Sequence, residues 1–321
     1  MFALSINEEK ILLDEGDLSL TPDESTIRWY HFDGEMSEAR EWLFSLKGPD
    51  LDSINVLSDD FTRPRLFITE NDELILTLRG IGFGEQQGME LISLRAWMTS
   101  NVLITVSRYP IPAIEAAQKK LCKKAKGISL PHHILWLVCE QLVTDITNDI
   151  DTKDETVDSL ENTWESDHTL DIDTLTLVRL DMSKLRRFLL PQLEAFQKLS
   201  LVILEQFSTE KENAVCAARW REICNSTHRD LEVITEMKER VTILKEGLEQ
   251  RMNRAMNRIM YLLSVVAAFF LPLTFIASLL GMNVKGIPGN EHPWAFFSVC
   301  GVMLIVSLFQ LLLFKRWKWF G

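Results

Sequence analysis

Few side chains in this sequence stand at spacings that could make or break a covalent bond. The five cysteines, Cys122, Cys139, Cys216, Cys224 and Cys300, form no C-x-x-C pair, which fits free thiols in a reducing compartment. The six histidines, His31, His132, His133, His168, His228 and His292, show no zinc-ligand spacing with them and read as structural or solvated. His292 beside Glu291 is the exception, since several copies of that pair could form a loose metal-collecting ring. No Walker loop, G-x-S-x-G or H-E-x-x-H occurs, so the chain is expected not to be an enzyme and to hold no covalent cofactor. Gly80, Gly82 and Gly84 lie between two strand-like runs and open no helix; they read as a flexible hairpin loop. The chemistry that remains is contact through neutral oxygen. Gly281-Met282-Asn283 ends a long apolar run, and glycine and asparagine are ordinary helix-terminating residues. The Asn283 amide oxygen can also accept hydrogen bonds from the water shell of a divalent cation, which magnesium-like ions shed reluctantly. Gly281 would let the chain leave the helix tightly.

The elements that must position this triplet are apolar. Ile259 to Leu280 is a run of 22 residues and Trp294 to Phe314 one of 21, neither with a charge. About 20 apolar residues cross a bilayer core, and globular helices of this length carry a polar face. Two membrane spans are therefore expected. Arg251, Arg254 and Arg258 precede the first, and Lys315, Arg316 and Lys318 follow the second. The positive-inside rule puts both termini in the cytoplasm and the connector outside, with Trp294, Trp317 and Trp319 at the interfaces. Neither span offers a buried carboxylate or histidine for a proton relay.

The remainder is acidic. A net charge of -12 over 321 residues excludes the positive footprint that a nucleic-acid partner requires. The N-terminus carries no signal-peptide pattern, so the body is expected in the cytoplasm. Residues 1–130 read as a mixed α/β domain. Its β-rich runs are joined by turns at Asn71-Asp72 and Ser100-Asn101, and a helix starts at Ser37. A cytoplasmic helical hairpin follows over 131–211, with helices from about His132 and Asp171. Its tip holds eleven carboxylates between Asp145 and Asp173, against Lys153 and His168. That tip reads as a cation-collecting or cation-sensing surface, as a partner for the basic tail, or as a solvated hairpin. A stalk helix over 212–258 carries apolar residues at Leu231, Ile234, Val241, Leu244 and Leu248 and runs into the first span without a turn signal. One helix of nearly seventy residues is expected, about 100 Å long. The order closes with the first span (259–280), an external loop (281–293), the second span (294–314) and a basic cytoplasmic tail (315–321).

This arrangement resembles the CorA family of metal-ion transporters. The similarity rests on PLTFIASLLGMN from Pro272 to Asn283, on the terminal KRWKWFG, and on the long charged helix before the first span. The loop VKGIPG and Thr62-Arg63-Pro64-Arg65 with LFITENDELILTLRG are similar to the zinc-transporting (ZntB-like) branch. The resemblance implies an α+β fold: a cytoplasmic α/β domain, a long stalk and two C-terminal spans in a funnel-shaped homopentamer of the bacterial inner membrane. It implies a pore lined by the first span at Asn257, Met260, Leu263, Ala267, Leu271 and Thr274, with Met260 and Leu263 as an apolar constriction. Gly281, Met282 and Asn283 would be the selectivity motif, with the ion met at Asn283 through hydration water. Lys285, Glu291 and His292 would stand at the mouth, where Glu291 offsets the repulsion of cations by Lys285. The implied cargo is zinc, with magnesium, cobalt, nickel and cadmium as related ions; the implied partners are its own copies, membrane lipid and protons. By residues alone, the stripe Asn257, Met260, Ser264, Ala267, Leu271, Thr274, Ser278 serves equally as pore lining or as helix packing. The alternatives are a magnesium or cobalt channel closed by cytoplasmic magnesium, and a membrane-anchored scaffold or sensor that moves no ion.

Overall fold

The computed structural model describes residues 2–6, 11–14, 26–46, 48–59, 63–85, 89–123, 130–167, 170–207, 213–282 and 293–316. They form two compact units, 1–245 and 246–321.

In the first unit a seven-stranded sheet has helices on both faces. Its strands are β1 (Phe2–Ile6), β2 (Ile11–Asp14), β3 (Ile27–Asp33), β4 (Arg65–Ile68), β5 (Leu74–Phe83), β6 (Met89–Met98) and β7 (Val102–Ser107), in the order β2-β1-β3-β7-β6-β5-β4. Every pair is antiparallel except β3 with β7. The turn at Asn71-Asp72 falls between β4 and β5, with Asp72 at φ 59°, a left-handed conformation that aspartate tolerates. Alternate side chains serve opposite faces, so strands covered on both sides read as nearly continuous apolar runs. Leu74, Leu76 and Leu78 join the core beneath α3 (Pro112–Lys123), α4 (Pro131–Asp167), α5 (Ile172–Val202) and the start of α6 (Asn213–Leu280). Ile75, Trp97 and Ile104 join the core beneath α1 (Met36–Ser45) and α2 (Leu51–Leu57).

Gly84 lies in the loop between β5 and β6 as read, but Gly80 and Gly82 correct the hairpin-loop reading. Gly80 and Gly82 lie inside β5 and pair with Ile92 and Glu90. A Cβ on Gly80 would stand 2.2 Å from Leu142 Cδ2 of α4, and one on Gly82 would stand 2.7 Å from the Pro110 carbonyl oxygen. Close approach, not flexibility, is what these positions require. Beyond β4, which reaches only to Thr77, the edge of β5 is closed by a side chain. The fully buried Gln192 of α5 accepts from the Arg79 backbone N–H (2.7 Å) and donates to its carbonyl (3.2 Å).

Helix α6 is continuous over 68 residues with Pro272 inside it. Buried positions at Cys216, Trp220, Ile223, Thr227, Asp230, Ile234, Met237, Val241, Leu244 and Leu248 repeat in steps of three and four, with Leu231 also buried beside Asp230. That is the seam of a helix packed lengthwise on its neighbours. Helix α7 (Ala295–Arg316) completes the second unit.

Candidate functional site

The two apolar helices are not core helices. In the most apolar window of each, 6% and 0% of the residues are buried. Leu263, Leu271, Phe275, Phe296 and Ile305 are each about two-thirds exposed or more. Every such side chain costs about 1.5–3 kcal/mol in water relative to burial, so these helices need lipid or copies of themselves around them. Three of their hydroxyls are satisfied within the helix, as a bilayer demands: Ser264 Oγ donates to the Met260 carbonyl at 2.9 Å, Ser298 Oγ to that of Trp294 at 3.1 Å and Ser307 Oγ to that of Met303 at 2.9 Å.

The membrane part of α6 has two unlike faces. Val265, Ala268, Phe269 and Ile276 are half-buried and Leu273 is down to 8% exposure, so this side carries the packing within the unit. Asn257, Met260, Ala267, Leu271 and Thr274 are all exposed. At ~100° per residue the two stripes are centred about 150° apart. Leu263 stands at the edge of the exposed stripe, and Ser264 and Ser278 lie within it. Packing within the unit therefore leaves the candidate lining untouched. Gly281 donates its N–H to the Ala277 carbonyl at 2.9 Å, and a Cβ there would stand 3.1 Å from that oxygen. Its role is to make room for one more helical bond, without a left-handed turn. Met282 is exposed. Asn283, Lys285, Glu291 and His292 lie outside the described residues, as do Thr62, His168 and the tail from 317.

The acidic hairpin is largely engaged by its own neighbours. Arg240 of α6 reaches three carboxylates spaced along α4. Its Nη1 donates to Asp154 at 2.8 Å and its Nε to Glu161 at 2.9 Å, while its other terminal nitrogen donates to Asp158 and Glu161. These contacts push the Arg240 guanidinium above its usual range and hold the Glu161 carboxyl below its own. Lys153 pairs with Asp149, and Gln141 donates to Asp145. Asp171 caps α5 through Asp173 N and Thr174 N, and the bond from the Thr174 hydroxyl does most to hold its carboxyl low. Among the described residues, no group of three or more histidine, cysteine, aspartate or glutamate side chains is placed to hold a metal ion.

Two residues escaped sequence reasoning. Arg240 looked like any stalk charge. Asp230 falls on the three-and-four repeat that contains Thr227 and Ile234, and that periodicity was the available signal. Asp230 is 4% exposed, accepts from Thr147 Oγ1 of α4 at 3.1 Å on each oxygen, and is pushed up to about 6 by burial.

A sheet-and-helix body whose last helix runs on into a charge-free stretch of lipid length, with a second such helix after it, has the build of a two-span membrane protein. Residues 24–316 match the CorA-like Mg2+ transporter protein family, and the chain belongs to that family. The divalent cation transporter CmaX of Pseudomonas aeruginosa is 30% identical over 305 residues, 94% of this chain and 90% of its own. The zinc transport protein ZntB of Pectobacterium atrosepticum is 30% identical over 294 residues, 91% of this chain and 87% of its own. The structure of full-length CmaX is similar with a TM-score of 0.81 at 27% identity, covering 99% of this chain and 98% of that one. The complete CorA magnesium transporter of Methanocaldococcus jannaschii has the same fold, with a TM-score of 0.73 at 18% identity over 98% of both chains.

Proposed function

We propose that this CorA-family divalent-cation transporter moves zinc across the bacterial inner membrane through a homopentameric pore, with both termini in the cytoplasm. One observation carries the reading: the stripe Asn257, Met260, Ala267, Leu271, Thr274 is exposed on the side of α6 away from its packing side. Two spans cannot enclose a channel, so that free face becomes a lining only when several copies gather around an axis. A ring of Asn283 amides at its outer end would greet an ion that keeps its hydration shell. Below it, Met260 and Leu263 would form a constriction that closes by dewetting. The lining has no charge to strip water or relay protons, so a hydrated ion descending its gradient is the simplest passage. Membrane potential supplies about 4.6 kcal/mol per 100 mV to a divalent ion. Lys285 would oppose entry at the mouth and Glu291 would offset it, with His292 beside it in a loose metal-collecting ring.

The relatives named for zinc transport, together with the VKGIPG loop, favour zinc over magnesium. The magnesium or cobalt channel is the second reading, favoured by the family description. Proteoliposomes with matched zinc and magnesium gradients separate the two: zinc flux is expected, and magnesium flux without zinc flux rejects the first reading. Asn283→Ala should abolish most flux while assembly persists. Undiminished flux in that variant, or a monomer in the membrane, returns the protein to a scaffold or sensor.

A further inference from the structure

We infer that Asp230 and Thr147 form a proton-binding site in the body, at which one proton fastens helix α4 to the stalk helix α6. The inference is independent of the transport reading and rests on a count of hydrogens. Thr147 has a single hydroxyl proton. Its oxygen stands 3.0 Å from the Val143 carbonyl and 3.1 Å from both oxygens of Asp230. With Asp230 ionised, that proton must choose between the carbonyl and the carboxylate. With Asp230 protonated, the acid donates to Thr147 and Thr147 donates to Val143, and both hydroxyl hydrogens of the cluster have an acceptor.

The surroundings favour the second arrangement. Asp230 interrupts the apolar seam between Thr227 and Ile234, with 4% of its surface exposed. The charged groups acting on it are Asp151 from α4, which opposes ionisation, and Arg229 of its own helix, which favours it weakly. Among the described residues, none from α5 acts on it, and no basic side chain hydrogen-bonds or ion-pairs with it. A buried carboxylate without a cationic partner is held at a penalty that a proton removes.

The sign follows from a carboxyl raised from 3.8 to about 6. The closed α4–α6 contact binds the proton more tightly than the open one, so closure is favoured at low pH. That advantage is lost as pH rises through about 6 and is gone above it. Between pH 5 and 7.5, local opening of α4 around Thr147 should increase ~10-fold. The test is hydrogen exchange on the full chain in nanodiscs without added metal, corrected for intrinsic rates, for wild type and Asp230→Asn. The asparagine keeps the shape, donates to Thr147 and cannot titrate. Wild type should lose ~10-fold protection over that interval, whereas Asp230→Asn should stay flat and exceed wild type at pH 7.5. A second readout does not depend on stability: infrared difference spectra of wild type should show a protonated-carboxyl band titrating near pH 6 that is absent in Asp230→Asn. A pH response that survives in Asp230→Asn, or a band unchanged by the substitution, overturns the site.

Discussion

Replacing Arg240 by alanine should loosen the outer half of α4, and the structure sets the size of the effect. The guanidinium is 23% exposed, and its partners Asp154, Asp158 and Glu161 are 38%, 59% and 35% exposed. Asp158 is the most solvated and contributes about 0.3 kcal/mol after screening. The two-pronged contact with Glu161 and the bond to Asp154 contribute about 0.7–1 kcal/mol each. Removing the cation also leaves three carboxylates one turn apart, which repel by about 0.3 kcal/mol per neighbouring pair. The sum is about 2.5 kcal/mol, or ~70-fold in local opening. Hydrogen exchange over residues 150–162 in the nanodisc-reconstituted chain reads this directly. Arg240→Lys should recover only about a third, since an ammonium cannot reproduce the fork. High salt should shrink the difference from wild type. The pH dependence has a fixed sign as well. Glu161 is held below its ordinary value of 4.5, so its share is present above that value and lost only as pH falls through the lower native one. The loss caused by Arg240→Ala should therefore be the same at pH 7.5 and pH 5.5. Protection within threefold of wild type, or a lysine as good as the arginine, would refute this account.

Three further outcomes follow from single contacts. Gly80→Ala should cost about 1–3 kcal/mol, because the new methyl overlaps Leu142, and Leu142→Ala in the same chain should recover part of it; the melting temperature in detergent reads both. Gln192→Ala should cost about 1–3 kcal/mol by stranding the Arg79 N–H and carbonyl at the open part of the β5 edge, whereas a change at the exposed Lys198 should leave the melt where it was. Met260→Ser should raise zinc flux in proteoliposomes ~10-fold if the apolar ring is the barrier, and unchanged flux would place the constriction elsewhere.

The long helices were legible because their information is local and repetitive. Apolar steps of three and four and the absence of a turn signal place the starts of α4, α5 and α6 within a residue or two of those observed. The turns at Asn71-Asp72 and Ser100-Asn101 were legible for the same reason. Sheet order was not: the parallel pairing of β3 with β7 joins residues some seventy apart, and no local pattern records it. Gly80 and Gly82 misled because the helix and carbonyl that demand a missing Cβ come from α4 and Pro110, far along the chain. The acidic tip was legible as charge but not as bonding. Which carboxylates Arg240 takes depends on the register of α4 against α6, and that is set by their apolar seam.

That seam also explains why two polar residues on one helix matter more than the many charges around them. A leucine at position 230, between the buried Thr227 and Ile234, would carry no desolvation cost, so the aspartate sacrifices stability at that point of the seam. Arg240 sits three turns further along and holds the neighbouring stretch of α4 by charge instead of apolar contact. The seam therefore joins α4 to α6 by two unlike devices. The contact at Asp230 gains or loses a proton near pH 6, whereas the ion cluster at Arg240 keeps its charges there, so between pH 5.5 and 7.5 only the first should loosen.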